Sequence, residues 1–274
     1  MATSKTTTKK KTAKRVTKKS TPKRTNTKSN AKTAIKSFSS AVSYLLEQTD
    51  FERMRVVKYD ETTFKLDRMR TLLAAIGNPQ DKVPLVHVAG TVGKGSTVAM
   101  LSSMLRGNGY TVGEYTSPHL TDIRERVVVN SEMIEEETFT TLLKEIVDAA
   151  NKEKLTPTFF ELITALAFKQ FADQAIDIAI IETGLGGRLD STNVITPLIT
   201  LITKIDLDHT NILGHTVEEI AREKAGIFKS SVPAISAHQT PEVTEILKAC
   251  AEETKTEVRI IANDIEFSAR FGGG

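Results

Sequence analysis

The chain has 274 residues, 39% of them hydrophobic and 26% charged, with a formal net charge of +3 and a single cysteine, Cys250. That length suits one large domain or two small ones. The lone cysteine excludes an intramolecular disulfide and fits a reducing cytoplasm, no apolar run approaches the ~20 residues that cross a bilayer, and no secretory apolar region follows the N-terminus. The small net charge hides an asymmetry: residues 1–36 hold eleven Lys, two Arg and no acid, which leaves 24 basic against 34 acidic residues in the rest. This Lys/Thr/Ser-rich stretch cannot bury enough apolar surface to offset its ordering entropy. Residues 1–37 are therefore expected to be a disordered basic tail, and 38–274 the folded body. The tail reads either as an arm for nucleic acid or another polyanion or as a solubilising extension.

Along the body, 41–47 reads as a short helix, and 64–76 as another with Leu66, Met69, Leu72, Leu73 and Ile76 at helical spacing, stopped by Gly77-Asn78-Pro79. Residues 83–88 are β-branched-rich and short, the pattern of a buried strand. A turn, Gly90-Thr-Val-Gly-Lys-Gly-Ser96, follows, and then a helix over 97–106. Strand, glycine loop and helix can bind phosphates: glycines let N–H groups turn onto the anion, and the helix start adds its positive end. Lys94 would reach the β/γ-phosphates, with Gly93, Gly95 and Ser96 around them. The match departs from the common phosphate-loop pattern, because Gly95 separates the lysine from its hydroxyl residue and Val88 stands where the earlier glycine would be. An ordinary glycine turn in a βα unit is the competing reading.

A strand over 111–115 leads to Thr116-Ser117-Pro118-His119-Leu120, and after a polar stretch Arg126 is followed by three valines, 127–129. Helices are expected at 135–151 and 158–172. The strand 176–181, apolar throughout and so buried on both faces, delivers Glu182 and a second glycine-rich segment, 183–193. A strand at 198–203 precedes Asp206, Asp208 and His209. A helix at 217–224 ends in Lys224, and strand 232–236, helix 241–252 and strand 257–261 follow. Alternating strands and helices predict a doubly wound, mostly parallel α/β sheet, whose ligands gather at the carboxyl ends of strands. The phosphate loop, the Ser117 turn, the Glu182 loop and the His209 loop all fall there. Taken alone, Glu182 reads as a Mg²⁺ ligand or a loop cap, His209 as a hydrogen-bonded loop residue, and Lys224 as the cation expected at a helix end.

Together these segments resemble the folylpolyglutamate synthase/dihydrofolate synthase family, within the Mur-ligase-like ATP-dependent amide ligases. The resemblance rests on H-V-A-G-T-V-G-K-G-S (87–96), Y-T-S-P-H-L (115–120), E-R-V (125–127), T-F-F-E-L (158–162), E-T-G-L-G-G-R-L-D-S-T-N (182–193), L-D-H-T-N-I-L-G (207–214) and E-K-A-G-I (223–227). It covers about residues 38–262 in order. It implies a P-loop NTPase-like central domain and a ligase that joins L-glutamate to dihydropteroate or tetrahydrofolate: ATP converts the carboxylate to an acyl phosphate, which the amine then attacks. It implies that Gly93, Lys94, Gly95 and Ser96 hold ATP, and that Lys94, Glu182, His209 and Lys224 serve catalysis. Ser117 and Glu182 would bind one Mg²⁺, and His209 and a carbamylated Lys224 a second. Thr158, Phe159, Phe160, Glu161, Leu189, Asp190 and Ser191, with 63–65, would line the pteroate pocket, and 117–126 would form a loop over the folate. A cytoplasmic monomer is implied. Val92 stands where the family usually has asparagine, and the basic tail is not a family feature. The family continues past the length of this chain into a C-terminal Rossmann-like domain, so the resemblance implies a half-site here. A non-catalytic nucleotide- or folate-binding module and a Mur-type cell-wall ligase are the alternatives.

Overall fold

The computed structural model describes residues 1–3, 35–50 and 59–266. Contacts divide the chain into Met1–Lys32 and Thr33–Gly274, and every element below belongs to the second unit. The expected disorder of the basic tail lies outside the described residues. Among the described residues no helix is long and apolar enough to cross a membrane.

One eight-stranded sheet forms the frame. Its strands are β1 (Leu85–Ala89), β2 (Val112–Tyr115), β3 (Val127–Val129), β4 (Glu132–Met133), β5 (Ile178–Glu182), β6 (Ile199–Ile202), β7 (Ala234–Ser236) and β8 (Val258–Ile260), in the order β4-β3-β2-β5-β1-β6-β7-β8. The ladders from β2 to β8 are parallel, and β3 and β4 add an antiparallel edge. The helices are α1 (Phe38–Leu46), α2 (Leu66–Ala75), α3 (Lys94–Gly107), α4 (Glu136–Lys152), α5 (Phe159–Asp173), α6 (Thr210–Leu213), α7 (Val217–Ala225) and α8 (Pro241–Thr254).

Side-chain parity assigns the two sheet faces. Leu85, Ala179 and Ile181 join a large core with α1, α2, α4 and α5, and Ala89, Ile202 and Ala234 join a second with α7 and α8. Val86, Val88 and Ile180 point the other way, into a smaller core with α3 residue Val98. Helix α5 is buried from Phe159 through Phe168, so it lies inside the first core. Its start is fixed by a capping box in which Thr158 and Glu161 exchange bonds, Thr158 N donating to Glu161 Oε2 at 2.7 Å and Glu161 N to Thr158 Oγ1 at 3.2 Å. Boxes at Ser37/Ser40 and Thr216/Glu219 start α1 and α7 likewise.

The expected architecture holds, with shifted edges. Helix α3 begins at Lys94 rather than at 97, because Gly93 (φ +88°) turns the chain directly into it and glycine takes that dihedral without strain. Strand β5 includes Glu182 instead of ending before it. Strands β7 and β8 are shorter than expected. The short α6, the edge strand β4 and the 3-10 turns at Ile123–Arg126 and Ser191–Val194 carry no apolar period by which a sequence could announce them.

Candidate active site

Central β1 and its neighbours β5 and β6 end together, and the glycine loop 90–96 leaves β1 between them. Thr91 and Val92 donate their N–H groups to the Lys204 carbonyl at 2.9 and 3.2 Å. Thr91 Oγ1 bridges to Asp206, donating to its carbonyl at 3.0 Å and accepting its N–H at 3.1 Å. The loop is thus stitched to the strand β6 exit before Gly93 releases it into α3.

Glu182 is buried at the end of β5. Its Oε1 lies 3.8 Å from Lys94 Nζ, its Oε2 accepts from Ser117 N at 3.4 Å, and a side-chain carbon at Gly95 would be 3.6 Å from it. The carboxylate therefore rests against the positive start of α3. Lys224 is 3% exposed and donates from Nζ to the Gly90 carbonyl at 2.8 Å. Burial, reinforced by the charge of Lys94 and opposed by Asp208 and Asp190, lowers its pKa to about 8. Lys94, Glu182, Ser117 and Lys224 are thereby gathered around one loop. Ser96 is exposed on the first turn of α3. His209, left-handed at the start of α6 (φ +48°), has a side chain 48% exposed and 3.7 Å from Asp208 Oδ2.

Among the described residues no cluster of three or more His, Cys, Asp or Glu side chains stands ready to enclose a metal. The donors do suit Mg²⁺, which prefers oxygen and completes its shell with phosphate oxygens and water around one or two carboxylates. Buried Glu182 beside Ser117 supplies such a carboxylate and hydroxyl.

A cleft opens on the other side of the β5 exit. Thr158, Phe160, Glu161, Leu189, Asp190 and Ser191 line it, joined by Phe64 and Lys65 of the 63–65 segment. Phe159 does not. It is 1% exposed, inside the core, with the Arg126 guanidinium 5.2 Å from its ring centroid, because neighbours on a helix point about 100° apart. Sequence reasoning missed Leu66, Arg68, Gly184 and Leu185. Arg68 Nε donates to both oxygens of Glu161, at 3.0 and 2.8 Å. Glu161 is therefore committed to its helix cap and to Arg68, and works as a wall of the cleft.

The loop 117–126 is folded by one carboxylate. Glu125 accepts from the N–H groups of Leu120, Thr121 and Asp122 at 2.7, 3.0 and 2.8 Å and from Thr121 Oγ1 at 2.8 Å. These bonds, that from Leu120 first, lower its pKa from 4.5 to about 2. A depressed carboxylate pKa stabilises the loop above the unfolded value and loses that support as pH falls through the folded one. Exchange protection at Leu120 and Asp122, taken relative to the intrinsic amide rate at each pH, is thus expected to hold at pH 5 and to fall toward about pH 2, while Glu125→Gln lacks it at both. A variant as protected as the parent would remove this role.

Residues 88–269 match the Mur ligase middle-domain family. The dihydrofolate synthase/folylpolyglutamate synthase of Bacillus subtilis is 49% identical over 192 residues, covering 68% of this chain and 45% of that protein. A probable dihydrofolate synthetase of Schizosaccharomyces pombe is 42% identical, covering 69% and 46%. The structure resembles a folylpolyglutamate synthase complex with AMPPCP and folate (TM-score 0.76, 33% identity, 83% of this chain and 55% of that one). It also resembles the Thermotoga maritima folylpolyglutamate synthase (TM-score 0.73, 36% identity, 83% and 50%). A parallel sheet with a glycine loop at its central strand, a buried carboxylate on the next strand and this family match define one class, and the chain belongs to the Mur ligase middle-domain family. Within that family its likeness is to the folylpolyglutamate and dihydrofolate synthases. The chain spans about half the length of the curated relatives it matches.

Proposed function

We propose that this chain supplies the ATP- and acceptor-binding part of a ligase that joins L-glutamate to the carboxylate of a pteroate or folate, either dihydropteroate or a tetrahydrofolate. One observation carries the reading. The single segment 182–191 reaches both sites, with Glu182 on the phosphate loop through Lys94 and Gly184, Leu185, Leu189, Asp190 and Ser191 in the cleft wall. A carboxylate held in the cleft would therefore meet a phosphate held by the loop.

In the proposed reaction an acceptor carboxylate oxygen bonds to the γ-phosphorus of ATP, and the bond to the β,γ-bridging oxygen breaks, releasing ADP. The amine of glutamate then bonds to the acyl carbon, the bond to the phosphate oxygen breaks, and the amine loses a proton. A free carboxylate is a poor electrophile because its leaving group would be oxide, so the protein's work is positioning and charge stabilisation. Lys94 and the N–H groups at the start of α3 face the phosphates, with Gly93, Gly95 and Ser96 as their cradle. Mg²⁺, when bound, neutralises phosphate charge. Ser117 and Glu182 would hold one ion, and His209 and Lys224 a second. A protonated amine repels a cation, but the pKa of Lys224, lowered to about 8, leaves a minor share of neutral amine near neutral pH, and such an amine adds CO₂ with loss of a proton to give a carbamate oxygen ligand. Lys224→Ala is expected to lose ligation, with partial recovery on adding a short carboxylate. Full activity without rescue would refute the carbamate.

The test is incubation of the chain with ATP, Mg²⁺, L-glutamate and dihydropteroate, followed by mass spectrometry for dihydrofolate, with binding of AMPPCP and folate measured in parallel. Product that depends on Lys94 supports the ligase. Binding of both ligands without product favours the non-catalytic module. Binding of neither refutes the assignment of both sites.

A further inference from the structure

His87 lies in the middle of β1 and is fully buried, a costly place for an imidazole unless its nitrogens have work. Its Nε2 is 2.8 Å from Thr192 Oγ1. The direction of that bond follows from proton counting. The Thr192 hydroxyl donates to Asp190 Oδ1, which also accepts from Thr192 N at 2.9 Å. A hydroxyl has one proton, and this one is spent on the carboxylate, so Thr192 accepts from His87. The imidazole therefore carries its proton on Nε2, and Nδ1 is a bare acceptor.

The far end of the chain is the cleft wall. Asp190 Oδ2 accepts from Gly184 N at 3.0 Å and Leu185 N at 2.9 Å, two residues that line the cleft. Gly184 has no room to move toward its neighbour, since a side-chain carbon there would collide with the Phe160 ring. Burial raises the Asp190 pKa, and its hydrogen bonds oppose that rise. Four donors already occupy the carboxylate, so its charge is used to hold the turn. A chain of donors all pointing toward that charge strengthens each bond in it.

At the near end, His87 Nδ1 is buried without a partner, and so is Thr200 Oγ1. The two residues are paired in the β1–β6 ladder. Two orphaned polar atoms side by side in a core are the setting in which a buried water is held.

We infer that His87 is a positioning residue for the acceptor cleft: it donates through Thr192 to Asp190, which fixes the Gly184–Leu185 turn, and an internal water joins its Nδ1 to Thr200. The inference rests on the cleft being the acceptor site. It gives Asp190, which also lines the cleft, the work of holding the wall, and it gives a role to a histidine that lies too far inside the sheet to touch any ligand.

The test uses the whole chain, its His87→Leu, His87→Gln and Thr192→Val variants, and folate and AMPPCP as probes. Nitrogen NMR of the parent is expected to show His87 protonated on Nε2 and bare on Nδ1, unchanged between about pH 5 and 8. His87→Leu and Thr192→Val are expected to weaken folate binding by at least about tenfold, to leave AMPPCP affinity within about threefold, and to speed amide exchange at Gly184 and Leu185. His87→Gln, which keeps a donor near the Nε2 position, is expected to bind folate within about threefold of the parent. If His87→Leu does not fold, Thr192→Val carries the comparison. A proton on Nδ1, equal folate binding by the Leu and Val variants, or equal loss of both ligands would overturn the inference. A parent chain that binds no folate refutes the acceptor reading instead, and the tautomer and the exchange at Gly184 and Leu185 still decide whether the polar chain exists.

Discussion

Lys94→Ala is expected to cut the affinity of the chain for Mg²⁺-ATP by about 100-fold or more and to bring any ligation below about a thousandth of the parent rate. The first figure follows from losing a charge-assisted bond to phosphate, worth about 1.5–3 kcal/mol, together with the Coulomb attraction of the ammonium in a partly buried site. The second follows from losing a preorganised charge where charge shifts during phosphoryl transfer, a loss that typically costs 10²–10³ in rate by itself. Stability should change little, by about 1–2 kcal/mol at most, because the pair with Glu182 is long at 3.8 Å. Glu182 keeps the Ser117 N–H and the start of α3 as compensation. Glu182→Gln separates the two contributions. It keeps the shape and removes the charge, so metal-free nucleotide binding should survive while the gain from adding Mg²⁺ disappears. Calorimetric titration with AMPPCP, with and without Mg²⁺, measures both, and melting curves confirm folding. Parent-like affinity in Lys94→Ala would remove the phosphate loop from the site.

The fold was legible because its signals are periodic. Apolar runs such as 178–181 and the amphipathic rows of α4 and α8 state their own structure, and the convergence of loops follows from parallel pairing. The candidate site was legible only where chemistry is written into a local pattern, as in the glycines around Lys94 or Glu182 at the end of an apolar strand. Other features depend on pairings remote in sequence. Arg68 meets Glu161 across 93 positions and His87 meets Thr192 across 105, and no local spacing encodes either contact. Phe159 shows the opposite failure. It sits in a motif whose neighbours line the cleft, yet the helix turns it inward to Arg126, so membership of a motif did not fix the direction of a side chain. Val92 is 62% exposed and contributes its backbone N–H to the loop, and that contribution any residue except proline can make.

Gly90→Ala is the substitution expected to damage the fold most. Gly90 has φ +149°, and a side-chain carbon there would overlap Thr203 Oγ1 and come within 2.9 Å of Thr203 Cβ. Thr203 cannot retreat easily, since its N–H donates to the Ala89 carbonyl at 2.8 Å in the seam between β1 and β6, and Lys224 holds the Gly90 carbonyl from the other side. Backbone strain of about 1–3 kcal/mol and overpacking of about 1–3 kcal/mol together predict a loss of about 2–6 kcal/mol. For a chain of this size that corresponds to a melting temperature lower by on the order of 10 °C. The two causes can be separated at the partner residue. Thr203 Oγ1 is buried without a hydrogen-bond partner, so Thr203→Ala alone should be close to neutral. Added to Gly90→Ala, it removes the overlap with Oγ1 but leaves the 2.9 Å approach to the residue-203 Cβ, so it should recover part of the overpacking share, while that close approach and the dihedral strain stay. Thermal melts of the parent, both single variants and the double variant give the cycle directly. A Gly90→Ala chain that melts with the parent would show that the loop can shift where the structure holds it tightest, and the same mobility would undercut the fixed phosphate cradle on which the ligase reading depends.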